Sequence, residues 1–197
     1  MADILMCGAY PLDEVVSALQ KTIRRGDEVH AMYWARVMIE NGFAAYMWRR
    51  LAVTAGEDCA GEPDVLPYVA SCHYLSNVAM KDAPKSAETN IVACAILKMC
   101  RAVKSHEACD LDWIVAQVAE KGWKPAIPSF AVDMHTKRGK ELGFVGQKGA
   151  RKFCEEGGLL DKERPNRYAE KVLELVGYSP EEAKTLLDKR NIVNADK

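Results

Sequence analysis

A chain of 197 residues with 49% apolar side chains is large enough to bury a real core, so disorder throughout is excluded. Its 27 basic and 28 acidic residues leave a formal charge of −1, which excludes a whole-molecule field for nucleic acid or an anionic membrane and leaves only local patches. Seven cysteines, odd in number and irregularly spaced, do not make a secreted disulfide framework, and neither a signal-like amino end nor an apolar run of transmembrane length is present, so a cytoplasmic protein that does not enter membranes is expected.

Residues 1–11 are too short for a domain and read as an N-terminal arm. Three apolar-periodic segments follow, 15–23, 30–39 and 44–55, punctuated by Arg25-Gly26-Asp27 and Asn41-Gly42. Asp13 and Glu14 suit the unpaired amides of a helix N-terminus, and Asp27 or Glu28 suits the next one. Met32, Ala35, Val37, Met38 and Ile39 give the second segment a broad apolar face, and Gly42 tolerates the positive φ of a helix ending. The third sets Tyr46, Met47, Leu51 and Val53 among Arg49 and Arg50, a packed helix with a basic side. Such a hairpin needs a partner to cover its faces.

Residues 59–64 read as a turn, and Pro67 falls in the first turn of a helix over 65–79. Pro84 interrupts the pattern at 81–85. Residues 89–103, with Ile91, Val92, Cys94, Ala95, Ile96, Met99 and Cys100, make the most buried-looking helix. A further helix over 110–121 is expected to supply apolar contacts through Leu111, Trp113, Ile114, Val115 and Val118, with Gly122 ending it. Trp123, Pro125, Ile127 and Pro128 read as an ordered crossing, followed by a short helix over 136–142. Residues 168–176 are helix-periodic up to Gly177. Ser179-Pro180-Glu181-Glu182 is a helix start: Ser179 caps, Pro180 fits the first helical position and Glu182 completes a capping box. No internal repeat is present.

SALQK at 17–21, IRRGD at 23–27, MYWARVMIENG at 32–42 and RRLAVTAGED at 49–58 occur in an order and spacing that resemble the helical region following the ATPase core in the RarA/MgsA family of replication-associated AAA+ proteins and their eukaryotic relatives. AVKSHEA at 102–108 and IPSFAVDMHTKRGKELGF at 127–144 resemble later segments of the same region. The resemblance implies an all-α fold, a compact multi-helix bundle like the clamp-loader-like C-terminal domain of that family, and the predicted segments with common helix lengths give it roughly six to eight helices. It assigns 12–146 to a family-like oligomerisation domain and 147–197 to a divergent helical extension. It also implies a homo-oligomer, tetramer first and dimer second, beside DNA or the proteins of replication and repair. No P-loop GxxxxGK[ST] is present, and Gly139-Lys140 lacks both the preceding glycine spacing and the following Ser or Thr, so ATP hydrolysis by this chain is not expected and no cofactor is implied. The chain is then a C-terminal fragment or a free-standing relative, with Met1 tipping the reading toward the second.

Cys94, Cys100, Cys109 and His106 lie close in sequence but lack the paired ligand turns of a zinc module, so no metal site is expected. A thiol-dependent enzyme is the third reading, and nothing in the spacing supplies its base or oxyanion site; no catalytic residue is assigned. Lys137, Arg138 and Lys140, followed by Lys148, Arg151 and Lys152, are candidates for phosphate contact if the chain folds back around residues 143–149, with Arg49 and Arg50 as a second face; the opposing reading is an ordinary solvated helix edge. Tyr33, Trp34, Tyr46 and Trp48 are interface candidates, because aromatic residues favour subunit contacts when they do not fill the core.

Overall fold

The computed structural model describes residues 5–79, 85–160, 166 and 168–195. Among them the chain forms ten α-helices and one two-stranded hairpin. It divides into two compact units, Met1–Trp123 and Lys124–Lys197.

In the first unit the arm is an antiparallel hairpin, β1 (Met6–Cys7) with β2 (Tyr10–Pro11), which buries Cys7. Helix α1 (Leu12–Arg24) buries Leu12, Val15, Val16, Leu19 and Ile23, a stripe at helical spacing. Each such side chain gains roughly 1.5–3 kcal/mol over remaining exposed. Helix α2 (Glu28–Glu40) starts where Asp27 accepts from the His30 amide and buries Ala31, Ala35 and Met38; its two alanines let the neighbouring helices approach closely. Gly42, at φ +82°, then turns the chain. Helix α3 (Ala44–Asp58) buries Met47, Trp48, Leu51, Thr54, Ala55 and Asp58, so a carboxylate closes a stripe that is apolar but for Thr54.

Helix α4 (Val65–Tyr74) continues into a π-helical turn, Leu75–Ala79, and packs with α5 (Lys85–Arg101), whose Val92, Ala95, Ile96, Met99 and Cys100 are buried. The interruption expected at Pro84 lies outside the described residues. The expected helix over 110–121 is α6 (Glu107–Glu120), but it buries none of its residues: Leu111 is 63% exposed, Trp113 64% and Ile114 53%. The apolar residues expected to supply its contacts are left largely uncovered. Periodicity marks a face that wants cover, whether the cover comes from the same chain or from another.

In the second unit a 3-10 turn (Ser129–Ala131) precedes α7 (Lys137–Glu141) and α8 (Gly146–Lys152), which runs into a π turn (Phe153–Gly157). Helices α9 (Ala169–Val176) and α10 (Pro180–Ala195) form the small helical pair, with Leu173, Tyr178 and Ala183 packed around Cys154. The capping box is realised in both directions: Ser179 N–H donates to Glu182 Oε2 at 2.7 Å, and Glu182 N–H donates to Ser179 Oγ at 3.3 Å.

Candidate interaction surface

The start of α6 is fixed by a polar hub around Asp58, which is 1% exposed. Asp58 Oδ1 accepts from Arg24 Nε and from His106 Nε2, both at 3.0 Å, and Oδ2 accepts from Gln20 Nε2 at 3.3 Å. Gln20 also donates to Glu57 at 2.8 Å and accepts from Arg50 Nη2 at 2.9 Å. A carboxylate taken out of water requires such partners. The Asp58 carbonyl accepts from the Ser105 amide at 3.0 Å, and Ser105 Oγ accepts from the Glu107 amide at 3.1 Å in the first turn of α6. Lys104 Nζ donates to the carbonyls of Met99, Cys100 and Ala102 at 2.6–3.0 Å and closes the end of α5. The IRRGD, AGED and KSHEA segments thus meet at one place, and the helix that leaves it is α6.

By helical spacing Leu111, Ile114, Val115 and Val118 share one face of α6. A hollow of about 780 Å³ in the second unit holds charged groups of both signs, whereas the hollow of about 690 Å³ at this face is lined by Ile114, Val115, Val118 and Trp123 with Lys121 and Gly122. The sequence reading did not single out this face, although Trp113 and Trp123 stood among the aromatic residues that can anchor a subunit contact; its signal is the density of large apolar residues over 111–118, with Trp123 one turn past the helix.

The aromatic interface candidates divide. Trp48 is 1% exposed and stacks on the His73 ring with centroids 5.3 Å apart, so it is corrected to a core residue with no surface to offer. Its Nε1 is buried with no hydrogen-bond partner among the described residues. Trp34 is half-buried, edge-on to Tyr10 and Tyr33. Tyr33 is 47% exposed, and its hydroxyl lies 3.2 Å from that of Tyr10. Tyr46 is half-buried with the Arg49 guanidinium over its ring.

The basic candidates divide as well. Arg50 serves the Asp58 hub through Gln20, while Arg49 is exposed. Lys137, Arg138 and Lys140 of α7 are exposed, and Lys137 meets Glu141 only at 3.9 Å. Lys148 is exposed beside the Phe144 ring. Arg151 is engaged: it donates to the Gly177 carbonyl at 2.5 Å, reaches Glu182 at 3.3 Å and lies over the Tyr178 ring at 4.2 Å. Lys152 pairs with Glu156 at 2.5 Å. Of the fold-back cluster, the structure leaves mainly the α7 cations and Lys148 facing solvent.

Burial raises the pKa of the Cys7, Cys59 and Cys72 thiols and pushes Cys100 up to about 11, the reverse of what an activated nucleophile needs. Asp133 and His135 do meet, at 3.0 Å, but the pair sits in the turn before α7, where the Asp133 carbonyl also accepts from Thr136. Among the described residues no group of three or more His, Cys, Asp or Glu side chains is placed to hold a metal ion, and no helix is long and apolar enough to cross a membrane.

No curated protein matches the sequence. A family model described as MgsA AAA+ ATPase C terminal matches residues 26–163, which is more than half of the chain and includes Asp58 and His106 of the hub, α6 and α7. The matched region is the part of that ATPase outside its catalytic core, in agreement with the missing P-loop and with the helical bundle observed. The chain belongs to the MgsA-type AAA+ ATPase C-terminal family.

Proposed function

We propose that the chain is a non-enzymatic homo-oligomerisation and protein-interaction module linked to DNA replication or repair, with α6 as its assembly helix. One observation carries this reading: α6 has no buried residue, although it holds Leu111, Trp113, Ile114 and Val115. A contiguous exposed apolar surface of this kind marks an association site, and covering what remains exposed of each such side chain gains roughly 1 kcal/mol. In a family member that carries an ATPase core, assembly through this domain would set the spacing of the cores. A tetramer is the first expectation and a dimer the second. Light scattering behind size-exclusion chromatography tests it: a concentration-stable oligomer is expected, and a strictly monomeric particle over a broad concentration range sinks the reading.

A second reading, contact with the phosphate backbone of DNA, is favoured by the exposure of Lys137, Arg138 and Lys140 together on α7. Such binding would weaken steeply with salt and carry little base preference. Titrating single-stranded and duplex DNA at several salt concentrations, with these three side chains neutralised in a variant, decides it; an unchanged affinity in the variant removes the assignment.

A further inference from the structure

The two units carry surfaces of opposite charge. Over Glu107–Glu120 the ionised side chains are Glu107, Asp110, Asp112 and Glu120, with no base among them. Over 137–152 there are six basic side chains and one acidic, Glu141; Arg151 and Lys152 are paired with Glu182 and Glu156, which leaves Lys137, Arg138, Lys140 and Lys148 to carry the positive surface. Both surfaces also have an apolar part. On α6 the stripe through Leu111, Ile114, Val115 and Val118 is flanked by Asp110 about 40° beyond Ile114 and by Asp112 about 60° beyond Val115, and Lys121, just past the helix, falls on the Asp110 side. In the second unit a hollow of about 310 Å³ is lined by Ile127, Leu142 and Phe144 together with Arg138 and Lys152, and Leu142 is 55% exposed.

We infer that α6 of one copy docks its acid-edged apolar face on the α7 surface of a second copy, with Asp110 and Asp112 meeting Lys137, Arg138 and Lys140. This rests on the homo-oligomer reading and adds which surfaces meet. The occupant is chosen by complementarity: an apolar stripe edged with carboxylates fits an apolar hollow beside cations, and both belong to this chain. Two copies of α6 facing each other would set like charges together. Because the two surfaces differ, the contact runs head to tail, and it closes into a ring when the rotation between neighbours permits.

Charge exchange tests it on the full chain. One variant carries Asp110→Lys with Asp112→Lys; the other carries Lys137→Glu, Arg138→Glu and Lys140→Glu. All five positions are exposed, and circular dichroism verifies that each variant folds. Each variant alone is expected to dissociate at concentrations about tenfold or more above those that dissociate the wild type. Mixing the two restores the oligomer, and so does combining all five changes in one chain. An oligomeric wild type whose assembly is untouched by the α7 reversal overturns the docking and leaves the homo-oligomer reading standing; loss of DNA binding alone in that variant gives the surface to phosphate instead. Restoration in the combined chain but not in the mixture makes the contact intramolecular and also overturns it. A monomeric wild type removes both.

Discussion

His106 Nε2 donates to Asp58 Oδ1 at 3.0 Å, which ties the last residue of α3 to the residue before α6 across 48 positions of sequence. Arg24 holds the same oxygen from α1. Removing the carboxylate leaves Gln20, Arg24 and His106 without their common acceptor, but Arg24 and His106 are 40% and 54% exposed and turn to water, so only part of the hub is left unpaired. Asp58→Ala is expected to lose about 1–2 kcal/mol, and Asp58→Asn less, since one side-chain oxygen remains to accept. Equilibrium urea unfolding measures both, and wild-type stability in Asp58→Ala would show that the hub does not hold the bundle together.

Gly139 lies in α7, where helix propensity alone favours alanine by about 1 kcal/mol. Packing reverses the sign. A Cβ on Gly139 would fall 1.8 Å from the Asp133 carbonyl oxygen and 2.9 Å from Thr136 Oγ1, the atom that caps the helix by accepting from the Gly139 amide. Gly139→Ala is therefore expected to destabilise the second unit by roughly 1–3 kcal/mol, the range for overpacking. Faster hydrogen exchange of the α7 amides would register it, and a stabilised variant would refute it.

The helices of the first unit were legible because their apolar residues recur at helical spacing and their ends carry Asp27 or Gly42. The Ser179 and Glu182 box was legible for the same reason, being wholly local. What sequence could not show was which apolar faces are covered. Trp48 and Trp113 read alike, yet one is 1% exposed and the other 64%. Nor does composition separate a free cation from an engaged one: Arg151 and Lys152 stand in the same basic run as Arg138, but their partners, Glu182 and Glu156, are fixed by the turns between helices. The Asp58 hub left one trace, an acid at the end of the 47, 51, 54, 55 stripe, where a helix facing a core demands distant partners.

Asp133 is held below the usual carboxylate range by the side-chain and main-chain N–H groups of His135. A carboxyl whose pKa is lower folded than unfolded stabilises the fold at pH above its unfolded value, about 4, and that contribution is lost as pH falls through the folded value. The stability gap between wild type and Asp133→Asn should be widest near neutrality and close on acidification below about pH 4. Urea midpoints taken from pH 7 downward test this; a gap that persists unchanged in acid would assign the effect of the substitution to shape and not to charge.

Cysteine reactivity offers a map of the assembly face that does not depend on charge exchange. Cys94 and Cys109 are exposed, whereas Cys7, Cys59, Cys72, Cys100 and Cys154 are buried, so the first two should react with a maleimide in the folded protein and the others only after unfolding. Cys109 and Ile114 are five residues apart on α6, about 140° around the helix, and so belong to different faces. A thiol placed by Ile114→Cys should be protected in the oligomer and become reactive as dilution separates the copies. Cys109, on the opposite side, should label at the same rate in both states. If Cys109 is protected and the thiol at position 114 is not, α6 presents its other face, the one bearing Trp113, and the docking of the Leu111 and Val118 stripe is wrong.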